Sequence, residues 1–466
     1  MAVSLQFMGA TRNVTGSCFL LEVKGRRFLI DCGLYQEREL RSRNWEPFPA
    51  DPKSIEAVFL THAHLDHCGL LPKLVKEGFK GKIMCTSATA EIARIVLLDA
   101  AHLQEEDAKF KKKRHEREKR KGPYPEVPLY TEEDAKSVFP LFTPVEYEKA
   151  VKIIDSVEAV FYDAGHILGS SIIKINVSSG PVSLVFSGDL GRWDKPIIRD
   201  PALIEDADYV VVESTYGDRL HEDLSEIKVK LCDIIISTVN QGGNIIIPSF
   251  AVERTQELLY YLNELLQENR IPHLLTFVDS PMAINVIEVF KHYPEYFDEE
   301  MLNFIQSGRS PFYFSNLKLT RSVEESKAIN RIRGSCIIIA GSGMCTGGRI
   351  KHHLVNNIIR PECSILFIGY QAKGTLGREI VDGASEVRIH GQMHPVRANV
   401  VKINGFSAHA DQRELLRWLT GFRSSPKRVF IVHGEEEAAT TFARILNEKF
   451  SWQTEIPEYL EKKILI

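Results

Sequence analysis

The stretch THAHLDHCG at residues 61–69 places His62, His64 and His67 with Asp66 inside six residues, directly after the apolar run at 57–60. Imidazole is a neutral nitrogen donor near pH 7 and the commonest zinc ligand, and aspartate supplies an anionic oxygen. Such a cluster is costly to bury unless a cation binds it; otherwise it is a solvated, histidine-rich turn. Two zinc ions need roughly four ligands each, with a bridging group and an open position for water. His62 and His64, two apart, can serve one metal, and Asp66 and His67 on the next bend a second, but four residues do not fill two sites. Further donors stand at other strand ends: His166 in DAGHILGS and Asp189 in FSGDLG. Both follow apolar runs and sit beside glycines, which let a tight loop bring a side chain close to a metal.

The elements that must position these groups change character along the chain. The first sixty residues read as a β-meander, with strands around Leu5, 17–23 and 27–31 separated by Gly9, Gly16 and Gly25. Strands at 159–162, 172–177 and 183–187 follow. From about residue 208, near-continuous β-branched runs at 209–212, 244–247, 274–278, 336–340 and 364–368 alternate with helical patterns such as Glu253 through Leu266. That pattern predicts parallel βα units covered on both faces. Beyond 391 the chain returns to mixed strand and helix. The expected division is 1–207, 208–390 and 391–466.

At 466 residues, two domains or one large domain with an insertion are expected. No apolar run reaches the length of a membrane span, and the start MAVSLQFMGATRN has neither a basic n-region nor a long apolar h-region. No membrane partner and no secretion are expected, and the default location is cytoplasmic. Eight cysteines without a CxxC pair argue against a disulfide framework or a thiolate zinc site; Cys68 reads as a small apolar residue. The net charge of −4 means that any polyanion must be held by a local patch. One basic run, residues 109–121, carries nine Lys or Arg against two Glu. A solvated helix face or mobile loop is its ordinary reading, and a phosphate-tracking arm the alternative.

Asp31 after a strand, HxHxDH at 62–67, His166 in AGHILGS and Asp189 in SGDLG together resemble the ordered motif set of the metallo-β-lactamase fold. That fold hosts thioester, lactam and phosphodiester hydrolysis, so it does not by itself give a substrate. Further on, VVESTYGDR at 211–219, GFSAHAD at 405–411 and IVHGE at 431–435 resemble motifs A, B and C of the β-CASP nucleases, and AGSGMCTGGR at 340–349 is close to a glycine-rich loop of that family. The similarity spans essentially the whole chain and is strongest to bacterial and archaeal relatives of the nuclease subunit of pre-mRNA 3′-end processing. It implies an α/β architecture: an αββα metallo-β-lactamase sandwich with an inserted parallel-sheet β-CASP domain. It also implies two Zn2+ ions, one held by His62, His64, His166 and Asp189, the other by Asp66, His67, Asp189 and His433. His433 at motif C is the residue of RNA-directed members, where DNA-repair members tend to carry valine.

By the same resemblance His409, Glu213 and Asp66 are the catalytic groups, with His409 the acid that protonates the leaving oxygen, Glu213 orienting it, and Asp31 fixing the tautomer of a ligand histidine. Read without the family, the plain alternatives are a core or capping histidine for His409 and a loop cap for Glu213, each the lesser reading. Ser342, Gly343, Arg349 and Ser407, with Lys373 and Arg378, are candidate phosphate contacts, against the plain alternative of a βα turn. The leading expectation is a zinc-dependent ribonuclease acting on single-stranded RNA and leaving 5′-phosphate and 3′-hydroxyl ends, by endo- or 5′-exonucleolysis. A small-molecule hydrolase and a silent RNA-binding scaffold are the alternatives. The chain shows no KH-type extension before its first strand and no dimerisation domain after motif C, which leaves monomer and homodimer both open.

Overall fold

The computed structural model describes residues 3–118, 125–178, 180, 182–369, 371–372 and 374–465. The chain divides into two compact units, one of residues 1–194, 199–220 and 409–466, the other of 195–198 and 221–408.

The first unit is built on two seven-stranded sheets. One runs in the order Lys462–Leu465, Val3–Phe7, Phe19–Val23, Arg26–Ile30, Ile55–Phe59, Lys82–Thr86, Phe142–Val145; the other in the order Thr454–Glu455, Arg428–Val432, Tyr209–Glu213, Val182–Phe186, Ser171–Val177, Val157–Asp163, Ala150–Ile154. Alternate residues of both turn inward into one apolar core, as period-two patterning requires. Phe7 packs on Phe430 with ring centroids 5.0 Å apart, Phe19 on Phe186 at 6.1 Å and Phe59 on Phe161 at 6.4 Å. Fully burying each such ring contributes about 1.5–3 kcal/mol. The outer face of the second sheet is covered by the helices Gln412–Leu419 and Glu436–Phe450 through Trp418, Phe442 and Leu446. The helix Ser87–Glu118 lies against the first. The result is the αββα sandwich expected from the sequence.

Two sets of parallel strands matter most. Val182–Phe186, Tyr209–Glu213 and Arg428–Val432 run parallel in one sheet, and Arg26–Ile30 and Ile55–Phe59 in the other. Parallel strands end on the same edge, so the residues that follow them collect there.

The second unit holds a six-stranded sheet in the order Leu317–Leu319, Leu275–Asp279, Cys336–Ala340, Ile245–Pro248, Ser364–Phe367, Asn399–Lys402, with every pairing parallel. Its central strands are buried along their length, which is why they read as unbroken apolar runs. The helix foreseen over 253–266 is Arg254–Gln267.

Candidate active site

The strand ends of the first unit deliver the sequence-predicted residues to one place. The loop after Ile55–Phe59 carries residues 61–67, and the loop between Val157–Asp163 and Ser171–Val177 carries His166. Asp189, Glu213 and His433 come from the ends of the three parallel strands. Gly188 makes the approach of Asp189 possible: it has φ +54, and a Cβ there would lie 2.9 Å from Cβ of Thr61.

Two donor groups share Asp189. In the first, Nε2 of His62 lies 3.1 Å from Nδ1 of His64, which lies 3.2 Å from Nε2 of His166. Asp189 Oδ2 is 3.4 Å from His62 and 3.5 Å from His166. In the second, Nε2 of His67 and His433 are 3.2 Å apart, Asp66 Oδ2 is 3.5 Å from His433, and Asp189 Oδ1 is 3.2 Å from His67 and 3.5 Å from His433. Ligands of a tetrahedral zinc ion, at bonds near 2.0–2.1 Å, stand about 3.3 Å from one another. The donor spacing fits that figure in both groups. Among the described residues none makes a hydrogen bond to buried Asp189 Oδ1, an anionic oxygen suited to a cation.

In the first group electrostatics favour the same reading. Burial holds His62 down to about 3 and His64 to about 4, and drives His166 well below the ordinary histidine range, so these rings offer lone pairs rather than protons. Burial also opposes the charged form of His67, but Asp189 and Asp31 outweigh it and raise that ring.

Hydroxyls and carboxylates behind the rings set their tautomers. Asp31 Oδ2 is 2.7 Å from Nδ1 of His67, while the Thr61 amide and hydroxyl donate to Asp31. Thr61 Oγ1 is 3.1 Å from Nδ1 of His62, and Thr215 Oγ1 is 3.1 Å from Nδ1 of His433. Each ring thereby presents Nε2 to the cluster. Asp31 and His433 hold left-handed backbone angles, φ +60 and +49, fixed by amides that donate to Phe59 and Ala10 carbonyls. Neither Thr61 nor Thr215 stands out in the sequence as a site residue; Thr61 adjoins the HxHxDH run and Thr215 lies in motif A, where it suits capping, but a hydroxyl residue carries no signal of its own.

His409 stands beside both groups, its ring centroid 4.6 Å from that of His166 and 5.8 Å from that of His433. Its Nδ1 is 3.1 Å from Glu213 Oε1, and that carboxylate is held by the amides of Leu190 and Thr215. Burial opposes the imidazolium, but the charges of Glu213 and Asp189 prevail and raise His409 to about 9.

The remaining candidates lie in the second unit and differ in what they touch. Ser342 Oγ accepts from the amides of Thr346 and Gly347, closing its own loop. A Cβ on Gly343 would strike the ring of Phe250 at 2.6 Å. Arg349 donates to buried Asp279 at 2.6 Å and to the carbonyls of Thr320 and Arg321. Ser407 is buried and its carbonyl accepts from Lys195. Arg378 pairs with Asp382. Lys373, and Lys119, Arg120 and Lys121 of the basic run, lie outside the described residues. Cys68 is buried, and burial lifts its thiol well above the ordinary range. Among the described residues no helix is long and apolar enough to cross a membrane.

Comparison with known proteins gives the family. Family models match over residues 11–218 (metallo-β-lactamase superfamily), 255–380 (β-CASP domain) and 393–457 (Zn-dependent metallo-hydrolase RNA specificity domain). The chain is 41% identical to Ribonuclease TTHA0252 of Thermus thermophilus, over 94% of each chain. It is 31% identical to the transcription termination factor FttA of Methanocaldococcus jannaschii, over 98% of this chain and 71% of that one. A crystal structure of a protein of unknown function from Enterococcus faecalis shares the fold, with TM-score 0.56 at 12% identity over the whole of both chains. The chain belongs to the β-CASP family of metal-dependent ribonucleases within the metallo-β-lactamase superfamily.

Proposed function

We propose that this chain hydrolyses phosphodiester bonds of single-stranded RNA, leaving 5′-phosphate and 3′-hydroxyl ends, with two zinc ions held by the two donor groups. The observation that carries the reading is Asp189, whose two oxygens face two separate sets of imidazole nitrogens at 3.2–3.5 Å. His62, His64, His166 and Asp189 would hold one ion, and Asp66, His67, Asp189 and His433 the other. Zinc bound there supplies Lewis acidity toward phosphate oxygens and lowers the pKa of water toward neutrality.

The chain's own residues do the rest. Glu213 accepts from Nδ1 of His409, which fixes the ring and leaves Nε2–H as the proton to be given. Departure of the 3′-oxygen requires that proton, because an alkoxide is a poor leaving group. Asp31, Thr61 and Thr215 keep the rings of His67, His62 and His433 in the tautomer that directs Nε2 inward. The ribonuclease among the relatives and the match to an RNA specificity domain over residues 393–457 support RNA as substrate.

The test is cleavage of two RNAs of one sequence, one linear with a 5′-monophosphate and one circular, by zinc-loaded protein. Cleavage that chelation stops and His62→Ala abolishes, giving 5′-phosphate ends, is the expected result. Cutting of the circle assigns endonucleolysis, and loss of the linear form alone a 5′-exonuclease. Cleavage persisting in a metal-free sample, or 2′,3′-cyclic phosphate ends, would refute the proposal.

A further inference from the structure

The helix Ser87–Glu118 is 32 residues long and is rooted beside the proposed metal site. The hydroxyls of Thr86, in the strand just before it, and Thr89, in its first turn, both donate to the carbonyl of Gly169, in the loop that carries His166. Its packed face is followed through Ala101 and Ala108, which are buried, to His115, whose Nδ1 is 2.6 Å from Glu126. At 3.6 residues per turn the opposite face of the last three turns carries Lys109, Phe110, Lys113, Arg114 and Arg117, with Glu116 and Glu118 toward its flanks. Phe110 is 67% exposed, the most exposed large apolar side chain among the described residues. Lys109 and Arg114 pair with Glu105 and Glu118 one turn away. Among the described residues, Lys113 and Arg117 take part in no ion pair. A merely solvating face has no use for a bare phenyl ring among its cations. A strand of nucleic acid does, because its bases stack on aromatic faces while its phosphates meet Lys and Arg.

We infer that this face is an accessory binding surface for single-stranded RNA, in which Phe110 stacks a base and Lys113 and Arg117 contact the flanking phosphates. The inference rests on RNA being the substrate. At 1.5 Å per residue, Lys113 stands about 40 Å along the helix from its root. The surface therefore holds RNA far from the bond being cut and adds affinity only for long substrates.

The experiment compares wild type, Phe110→Ala, the double variant Lys113→Gln/Arg117→Gln and its charge-preserving counterpart Lys113→Arg/Arg117→Lys. Binding of an unstructured RNA of about thirty nucleotides is measured in chelator across a salt series, and cleavage of that RNA and of one of about four nucleotides is measured with zinc. The double variant is expected to weaken binding of the long RNA about five- to tenfold and to flatten the slope of log Kd against log salt by about 1.4, or about 0.7 per lost phosphate contact. Phe110→Ala is expected to weaken it at least about fivefold with the slope unchanged. The charge-preserving variant behaves as wild type, and cleavage of the short RNA is the same in all four. Unchanged binding and slope in the variants overturn the inference and leave the face to an acidic protein partner, as do equal losses on long and short RNA. Wild type that binds no RNA overturns the substrate reading itself.

Discussion

Glu213→Gln isolates the charge that keeps His409 protonated. Glutamine retains an oxygen for the Leu190 amide, so the loop keeps its acceptor while the carboxylate charge goes. The Glu213–His409 contact of 3.1 Å, at an effective permittivity near 20 and with both charges delocalised, corresponds to roughly 4 kcal/mol, or about three pKa units. That exceeds the rise of His409 from 6.5 to about 9. In the variant, burial acts unopposed by Glu213, and the ring returns to its ordinary value or below. A raised histidine is charged below its folded pKa, so the loss must show at high pH and fade at low pH. At pH 8 the imidazolium fraction falls from about 0.9 to about 0.03, a roughly 30-fold slower protonation of the leaving oxygen, whereas at pH 6 it falls by no more than about 1.3-fold if the ring returns to its ordinary value. The assay is single-turnover RNA cleavage from pH 6 to 9, with zinc content measured in parallel. An equal defect at every pH, or a profile unchanged from wild type, would refute the role given to this pair.

Thr215→Val removes the hydroxyl behind Nδ1 of His433. Zinc affinity is expected to drop about 10- to 100-fold, with activity recovered at excess zinc; metal titration by competition with a chromophoric chelator checks it. Asp279→Asn in the second unit leaves the guanidinium of Arg349 without its carboxylate, and is expected to cost about 3 kcal/mol in urea denaturation. Burial raises Asp279, but His353, Ser326 and Arg349 prevail and hold it below the ordinary carboxylate value. Its contribution is therefore complete above pH 3.8, the ordinary value, and is lost as the pH falls through the depressed one; a wild-type stability curve flat down through that range would contradict this.

Residues that act through local spacing were legible in the sequence. HxHxDH announces itself because its donors are neighbours, and His166 and Asp189 stand out because glycines crowd them at strand ends. The sheet-rich first part and the parallel sheet follow from two textures, alternating and unbroken, that report burial on one face or both, whereas the αββα sandwich came only with the family resemblance. Pairings made by folding alone left no trace. Thr61 and Thr215 are ordinary hydroxyl residues until strand register sets them behind rings. Arg349 reads as a phosphate contact from its place after a glycine-rich loop, yet its guanidinium meets Asp279, seventy residues earlier, with no shared motif to reveal it. The basic run likewise gives charge but not direction; only the helix register separates Lys113 and Arg117 from the packed face.

The order of delivery along the chain carries a last consequence. The first donor group is complete once residue 189 has been made. The second waits for His433, which reaches its place only when Arg428–Val432 pairs with Tyr209–Glu213, after the whole of residues 221–408 has been synthesised. The proposed acid, His409, arrives in the same late stretch. On the proposed ligand assignment, the second ion can be held only after nearly the whole chain has been made, whereas the donors of the first are all present before the residues of the second unit's sheet exist.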